Sequence, residues 1–211
     1  MGLRELKRER TRRLISDKAF ELFGDHGFGR TTVEQIAAAA EVGPSTLYRY
    51  YPTKERLVLE FVELCLFTAL DEMRASGPEV PLEKALGQLV SRALSDLEAE
   101  PAKTRAIYAL AEAHSSLSAH LADLVWRWRD ELAAEIARRM DDSSPLVSAL
   151  TAAVTIDLIE MVVQTWVDQP GPTPTLTELA TQGLSLLANG ELPLPCRIGL
   201  DPASAHNATN A

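Results

Sequence analysis

Apolar residues recur at helical spacing along almost the whole chain, and no sustained alternation of apolar and polar residues indicates a strand. The first such stretch starts at Ile15, and its apolar residues continue four, seven and eight positions later. Gly27 follows as the predicted end of this helix. The spacing therefore predicts an all-α fold. Beyond the N-terminal helices, helices are predicted over residues 54–74, 82–99, 102–114, 117–140, 145–168 and 175–188.

The net charge of −9 is distributed unevenly along the chain. Residues 1–58 hold eleven Lys or Arg and eight Asp or Glu, a net charge of +3, whereas the remainder carries −12. This asymmetry favours a nucleic-acid contact by the N-terminal part rather than by the whole surface. Its first thirteen residues form either an arm for the minor groove or a solvated helix face, and the charges fit both. The basic residues concerned are Arg4, Lys7, Arg8, Arg10, Arg12 and Arg13.

Several functions find no support in the residue pattern. The apolar segment 145–168 contains Asp157 and Glu160, so a buried helix is expected there rather than a membrane span. This carboxylate pair is more typical of a helix rim than of a ligand site, and both interpretations stay open. Cys65 and Cys196 lie far apart and are predicted to be free thiols in a reducing cytoplasm. No catalytic residue, metal site or cofactor is predicted, because the histidines are scattered and no nucleophile is paired with a base.

Residues 31–54 predict a helix-turn-helix. Thr31, with Glu34 three residues later, predicts a capping box at the start of the second helix. A short turn follows, in which Gly43 suits the N-cap and Pro44 suits the first position of a third helix.

The third helix has one inward and one outward face. Leu47 and Tyr51 are four residues apart and are expected to face inward together. Ser45, Thr46 and Arg49 are then expected to point outward, where the N-terminal part of a recognition helix meets base edges in the major groove.

Phosphate contacts are expected around this outward face. Tyr48 and Tyr50 flank it, and for both we favour a phosphate contact over a place in the core. Lys54 lies in the first turn of the next helix, where a cation and free backbone N–H groups suit a phosphate. Thr32, at the start of the second helix, is expected to act in the same way on the other strand.

Residues 11–58 resemble the DNA-binding domain of the TetR family. The residues that carry the resemblance are Phe23, Gly27-Phe28, Thr31-Thr32-Val33, Ile36-Ala37, Val42 and the run from Ser45 to Glu55. Glu41 and Gly43 depart from the common pattern, because the turn often has Gly at the first position and Ser or Thr at the cap. The aligned candidates for DNA contact are Thr32, Pro44, Ser45, Thr46, Tyr48, Arg49, Tyr50 and Lys54.

The resemblance implies two domains. The first is an N-terminal three-helix helix-turn-helix domain over residues 1–57, and the second is a helical ligand-binding and dimerisation domain over residues 58–192. A tail over residues 193–211, rich in Ala, Asn, Pro and Ser, is expected to be poorly ordered.

The helix over residues 145–168 is apolar on nearly all sides and must bury more than one face. One face can pack on its own subunit. The other, with the helix over 175–188, is predicted to meet a second copy in a four-helix bundle, which the resemblance also implies. A two-fold dimer can read two half-sites of a near-palindromic operator.

An apolar pocket for a small inducer is expected between residues 58 and 168, as the resemblance implies. The candidate lining residues are Phe67, Trp126, Met161 and Trp166. Trp126 and Trp128 are about 200° apart around a helix, so both cannot face one core. The leading hypothesis is a homodimeric repressor that binds a double-stranded DNA operator and is released by a mainly apolar inducer. The alternative is a DNA-binding activator, or a regulator controlled by a protein partner.

Overall fold

The computed structural model of the chain describes residues 2–140, 144–169 and 174–192, with the backbone alone for residues 3–5. Within these ranges the chain forms nine α-helices, a 3-10 turn at Phe28–Arg30 and no strand, which confirms the predicted all-α fold. The predicted tail and Cys196 lie outside the described residues. The helices are α1 (Leu3–His26), α2 (Val33–Ala39), α3 (Pro44–Tyr50), α4 (Lys54–Ala75), α5 (Leu82–Ala99), α6 (Pro101–Ala113), α7 (Ser115–Arg139), α8 (Pro145–Asp168) and α9 (Leu176–Ala188).

The end of α1 lies where the sequence predicts it. Gly27 adopts a φ of 82°, in the left-handed region that glycine enters at low cost. Its N–H donates to the carbonyl of Phe23 at 3.0 Å, which satisfies one of the free carbonyls at the helix end.

The predicted capping box at the start of α2 is wrong by one residue. The N-cap is Thr32, whose hydroxyl accepts from the Gln35 N–H, while the Gln35 side chain accepts from the Thr32 N–H. Thr31 is buried instead, and its hydroxyl donates to the carbonyl of Gly27 at 2.9 Å. Because Thr31 is used against the end of α1, the chain enters α2 one residue later.

The helices form a small N-terminal head and a larger body. Helices α1 to α3 pack together in the head, and α4 continues from the head into the body, where it packs against α5 and α7. Helix α8 packs between α7 and α9. The predicted domain boundary at residues 57 and 58 therefore lies within α4. The largest fully buried side chains belong to Ile15, Ile36 and Leu47 in the head and to Leu57, Leu70, Leu89, Leu94, Leu97, Ile107, Leu117, Leu124 and Trp128 in α4 and the body.

Helix α8 is the one helix in the described part of the chain that is long and apolar enough to cross a membrane. Core helices pass the same test of length and composition. One side of α8, which includes Ala152, Ile156 and Val163, is buried against the rest of the body. This packing agrees with the expectation of a buried helix.

Candidate nucleic-acid interface

Helices α2 and α3 are joined by a tight turn. The N–H of Val42 donates to the carbonyl of Ala37 at 2.9 Å, and the Val42 side chain packs against the core of the head. The Gly43 carbonyl accepts from the N–H of Leu47 at 3.0 Å, and Pro44 occupies the first turn of α3. The predicted roles of Gly43 and Pro44 at the start of α3 are confirmed.

Glu41 occupies the first position of this turn with a φ of 53°, the left-handed region. That conformation costs a residue with a Cβ roughly 1–2 kcal/mol. A glycine removes this cost, although it also makes the unfolded chain more flexible by roughly 0.4–1 kcal/mol. The presence of Glu41 rather than glycine at this position therefore puts a small strain on the turn.

We expect Glu41→Gly to raise the free energy of unfolding by about 0.5–1 kcal/mol, because the strain removed exceeds the entropy added. Thermal denaturation at fixed protein concentration measures the change, and the Tm should rise by roughly 1–4 °C. The matched control is Ala38→Gly, an exposed position inside α2, which should lose about 1 kcal/mol. Equal destabilisation by both substitutions would contradict the strain at Glu41.

The recognition helix α3 has the two faces that the sequence predicts. Leu47 and Tyr51 are only 1% and 2% exposed, whereas Ser45 and Arg49 are exposed to solvent. Thr46 is half-buried. The orientation of the helix is therefore confirmed, and contact of these side chains with bases remains a prediction.

Tyr51 anchors the end of α3 to α4. Its hydroxyl donates to the Glu60 carboxylate, and Arg12 Nε lies 3.4 Å from the other oxygen of that carboxylate. Burial and the hydrogen bond to Glu60 raise the pKa of Tyr51 above its usual range. The sequence predicted the core position of Tyr51 but gave no sign of this polar link between α1, α3 and α4.

Tyr48 lies at the edge of the outward face and is 46% exposed. Its hydroxyl donates to Glu34 Oε1 at 3.3 Å, and the Glu34 charge raises the pKa of Tyr48. Hydrogen bonds from the helix N-terminus and from Thr32 hold the pKa of Glu34 below its usual range. A phosphate contact by the Tyr48 hydroxyl would therefore have to replace the Glu34 carboxylate.

Tyr50 is half-buried beneath three guanidinium groups. The guanidinium carbons of Arg8, Arg12 and Arg49 lie 5.8, 6.0 and 5.8 Å from the centre of its ring. Arg8 and Arg12 belong to α1, so these members of the N-terminal basic cluster are helical and lie beside the end of the recognition helix. The cluster thereby adds positive charge next to α3.

Lys54 makes intramolecular contacts that its sequence position does not indicate. Its Nζ donates to the carbonyl oxygens of Phe28 and Thr31, both at 2.8 Å, and lies 4.6 Å from the centre of the Phe28 ring. These contacts join the segment after α1 to the start of α4. Two of the three ammonium protons are used inside the protein, which leaves at most one for a phosphate.

We expect Lys54→Met to lower the free energy of unfolding by about 2 kcal/mol, because hydrogen bonds to a charged group are worth roughly 1.5–3 kcal/mol and this group is partly exposed. Urea denaturation measures the loss. The control is Arg56→Met in the same helical turn, where the exposed Arg56 pairs with the partly buried Glu63 and the pair is worth at most about 1 kcal/mol. Unchanged stability, with a salt dependence of DNA binding that is lower by about one phosphate per subunit, would instead identify a phosphate contact.

None of the four predicted pocket residues lines the apolar pocket of the body. Trp126 and Met161 are 60% and 67% exposed on the outer surface, because the buried faces of their helices are occupied by other side chains. Trp166 is buried beneath Arg105, whose guanidinium carbon lies 3.9 Å from the ring centre. Phe67 is half-buried against the core. This geometry does not support a pocket formed by these four residues.

An apolar pocket does lie in the body, and it is lined by other residues. Trp128 is fully buried in the wall of this pocket. Because Trp126 and Trp128 point to opposite sides of α7, only one of them could face the core, and that residue is Trp128. Tyr108 and Glu160 contribute the polar side chains of the pocket. The sequence identified Glu160 as one member of a carboxylate pair, but nothing in the sequence indicated a role for Tyr108.

Comparison with known proteins identifies both parts of the chain. Residues 15–61 match the family described as bacterial regulatory proteins of the tetR family, and residues 80–192 match the MftR C-terminal domain. The chain therefore belongs to the TetR family of transcriptional regulators.

Individual relatives match this chain over only part of their own length. The regulator TcmR of Streptomyces glaucescens is 42% identical over 88 residues, 41% of this chain and 38% of its own. The repressor LfrR of Mycolicibacterium smegmatis is 39% identical over 89 residues, 41% of this chain and 46% of its own. The matched stretch thus spans less than half of either relative.

A solved structure shows the same fold over most of the chain. Thermus thermophilus FadR, a TetR-family repressor in complex with lauroyl-CoA, has a TM-score of 0.57 and 24% sequence identity. The match covers 90% of this chain and 100% of the FadR chain. At this identity the match establishes the shared fold and nothing about the ligand.

Proposed function

We propose that the chain is a homodimeric repressor that binds a near-palindromic operator and is released by a small, mainly apolar inducer. The observation that carries the proposal is the outward face of α3, where Ser45 and Arg49 are exposed while Leu47 is buried. Ser45, Thr46 and Arg49 are assigned to base edges. The remaining candidates, assigned to the DNA backbone, are Thr32, Pro44, Tyr48, Tyr50 and Lys54.

Dimerisation is supported by an apolar surface on the last two helices. Along α8, Leu150 and Val154 are 54% and 48% exposed, and Leu184 on the adjacent α9 is 46% exposed. Apolar residues repeated at this spacing on two packed helices are typical of a helical interface. The other exposed apolar residues of the two helices are Leu146, Val147, Met161 and Leu187.

Release by an inducer requires contact between the body and the head. The turn between α6 and α7 supplies it, because the rings of His114 and Phe28 lie 5.0 Å apart. Beside this pair, the Ser116 hydroxyl donates to Glu55 at 3.2 Å. Both α6 and α7 also contribute to the wall of the apolar pocket. A ligand that binds better to a conformation with shifted α6 and α7 would therefore also change the position of the head.

DNA binding is tested with the duplex upstream of the chain's own gene and of neighbouring genes. We expect retardation that weakens steeply with salt, because phosphate contacts release counterions. Insertion of about half a helical turn between the half-sites should abolish tight binding, since the two recognition helices would no longer face the same groove. If the insertion leaves the affinity unchanged, the protein does not bind the operator as a dimer that contacts two half-sites. A reporter assay decides between repression and activation.

We expect Leu150→Asp to convert the protein from a dimer into a folded monomer, because this side chain is exposed in the subunit and would be buried in the dimer. Light scattering at micromolar concentration measures the mass, and circular dichroism confirms the helical content. The control is Leu64→Asp, a similarly exposed apolar residue on α4, which should stay dimeric. If the wild-type protein is itself monomeric, the proposed interface does not exist.

A further inference from the structure

The apolar pocket of the body is narrow and almost filled by its own side chains. It lies among α4 to α8, and all of its ten lining side chains except Tyr108 and Glu160 are apolar. The space inside is about 10 Å³, which is about the volume that one water probe needs. Any organic ligand must therefore widen the pocket when it binds.

The two polar side chains of the pocket have no hydrogen-bond partner in the described part of the chain, and each is half-buried. Arg129, whose charge acts on Glu160, donates to Asp157 at 3.0 Å and not to Glu160. Burial, helped by the Asp157 charge, raises the pKa of Glu160. A half-buried carboxyl group that borders apolar side chains and has no protein partner is a candidate contact for a ligand.

We propose that this pocket binds a small apolar amine, with its hydrocarbon part among the apolar side chains and its ammonium group on the Glu160 carboxylate. The inference rests on the proposed function, because it assigns the chemistry of the inducer. Trp128 and Tyr108 also line the pocket, and aromatic rings attract a cation that lies over their faces. A carboxylate ligand is disfavoured, since it would meet the Glu160 charge and the Arg129 guanidinium is already paired with Asp157.

The exposure of the lining residues shows which side of the pocket can open. Tyr108, Leu121 and Glu160 are partly exposed, whereas the other lining residues are buried. A ligand entering between Tyr108 on α6 and Leu121 on α7 would separate these helices. Their connecting turn contacts the head through His114, so widening of the pocket is coupled to the position of the head.

The test uses three probes of one shape and different charge: cyclohexylmethylamine, cyclohexylmethanol and cyclohexanecarboxylate. Calorimetry on the full-length protein should give an affinity for the amine about tenfold higher than for the alcohol, and weaker binding of the carboxylate. Glu160→Gln should remove the preference for the amine and leave alcohol binding unchanged. Asp168→Asn, which removes an exposed carboxylate from the same helix, should retain the preference.

Equal affinity for amine and alcohol, a preference for the carboxylate, or no binding of any probe to the wild-type protein would overturn the proposal. The wild-type comparison needs no variant, so it stands even if Glu160→Gln fails to fold. DNA retardation is measured separately. Retardation that the bound amine does not relieve would refute the inducer role, whereas amine binding without any retardation would refute the proposed repressor and leave the amine site.

Discussion

Arg49→Ala is expected to reduce operator affinity by roughly thirtyfold or more, with little change in stability. Arg49 is exposed on the outward face of α3, and no carboxylate within the described ranges pairs with it. A bidentate contact of arginine with guanine is worth about 1–3 kcal/mol, and a dimer makes it twice, so the loss is about 2–6 kcal/mol. Fluorescence anisotropy with labelled operator and with a scrambled duplex measures affinity and specificity together.

The control for Arg49 must remove the same charge far from the DNA. Arg92→Ala serves this purpose, because Arg92 lies on α5 of the body in exposed ion pairs with Glu72 and Asp96. This variant should bind the operator within about twofold of wild type, since distant exposed charges are screened by salt. If Arg49→Ala keeps wild-type affinity and specificity, Arg49 does not contact the bases.

Helix positions could be predicted because the local signals in this chain agree with the tertiary structure. Gly27 after α1 and Pro44 at the start of α3 indicate boundaries that the structure has, whereas the apolar spacing from Ile15 onward did not indicate that α1 begins at Leu3. The capping box could not be placed, since Thr31 and Thr32 each have a suitable residue three positions later. The choice depends on the contact of Thr31 with the end of α1, which local sequence does not encode.

The candidate site likewise has features that the sequence predicts and features that it does not. The outward face of α3 follows from helical geometry around the buried Leu47. Lys54 is different, because its partners Phe28 and Thr31 come from a segment more than twenty positions earlier. Helical geometry also shows that only one of Trp126 and Trp128 is buried, but the choice depends on how α7 packs on its neighbours.

A buried ion pair fastens the ends of α4 and α7. The Glu135 carboxylate accepts from Arg138 and from Arg139 Nε, each at 2.7 Å, and the side chains of Glu135 and Arg139 are only 4% and 3% exposed. Arg139 also donates to the Gly77 carbonyl at 3.1 Å and to the Ser76 hydroxyl at 3.1 Å. The guanidinium thus closes the end of α4, and Glu135 supplies its countercharge.

Burial tends to raise the pKa of Glu135, but the hydrogen bonds from Arg138 and Arg139 outweigh it and hold the pKa below its ordinary value of 4.5. A carboxyl group whose pKa is lower in the folded than in the unfolded protein stabilises the fold above its unfolded pKa. The contribution is fully present at neutral pH and is lost as the pH falls from about 4.5 through the lower folded value.

Glu135→Ala is therefore expected to lower the free energy of unfolding by about 3–5 kcal/mol at pH 7, because it leaves the Arg139 guanidinium buried without a countercharge. Urea denaturation at fixed protein concentration measures the loss. Glu131→Ala, one turn earlier in α7, removes the exposed partner of Arg74 and should cost at most about 1 kcal/mol. The difference between wild type and Glu135→Ala should shrink as the pH falls below about 4.5, because wild-type Glu135 then becomes protonated. Equal losses for the two variants, or a difference independent of pH, would show that the buried charge pair does not hold these helix ends together.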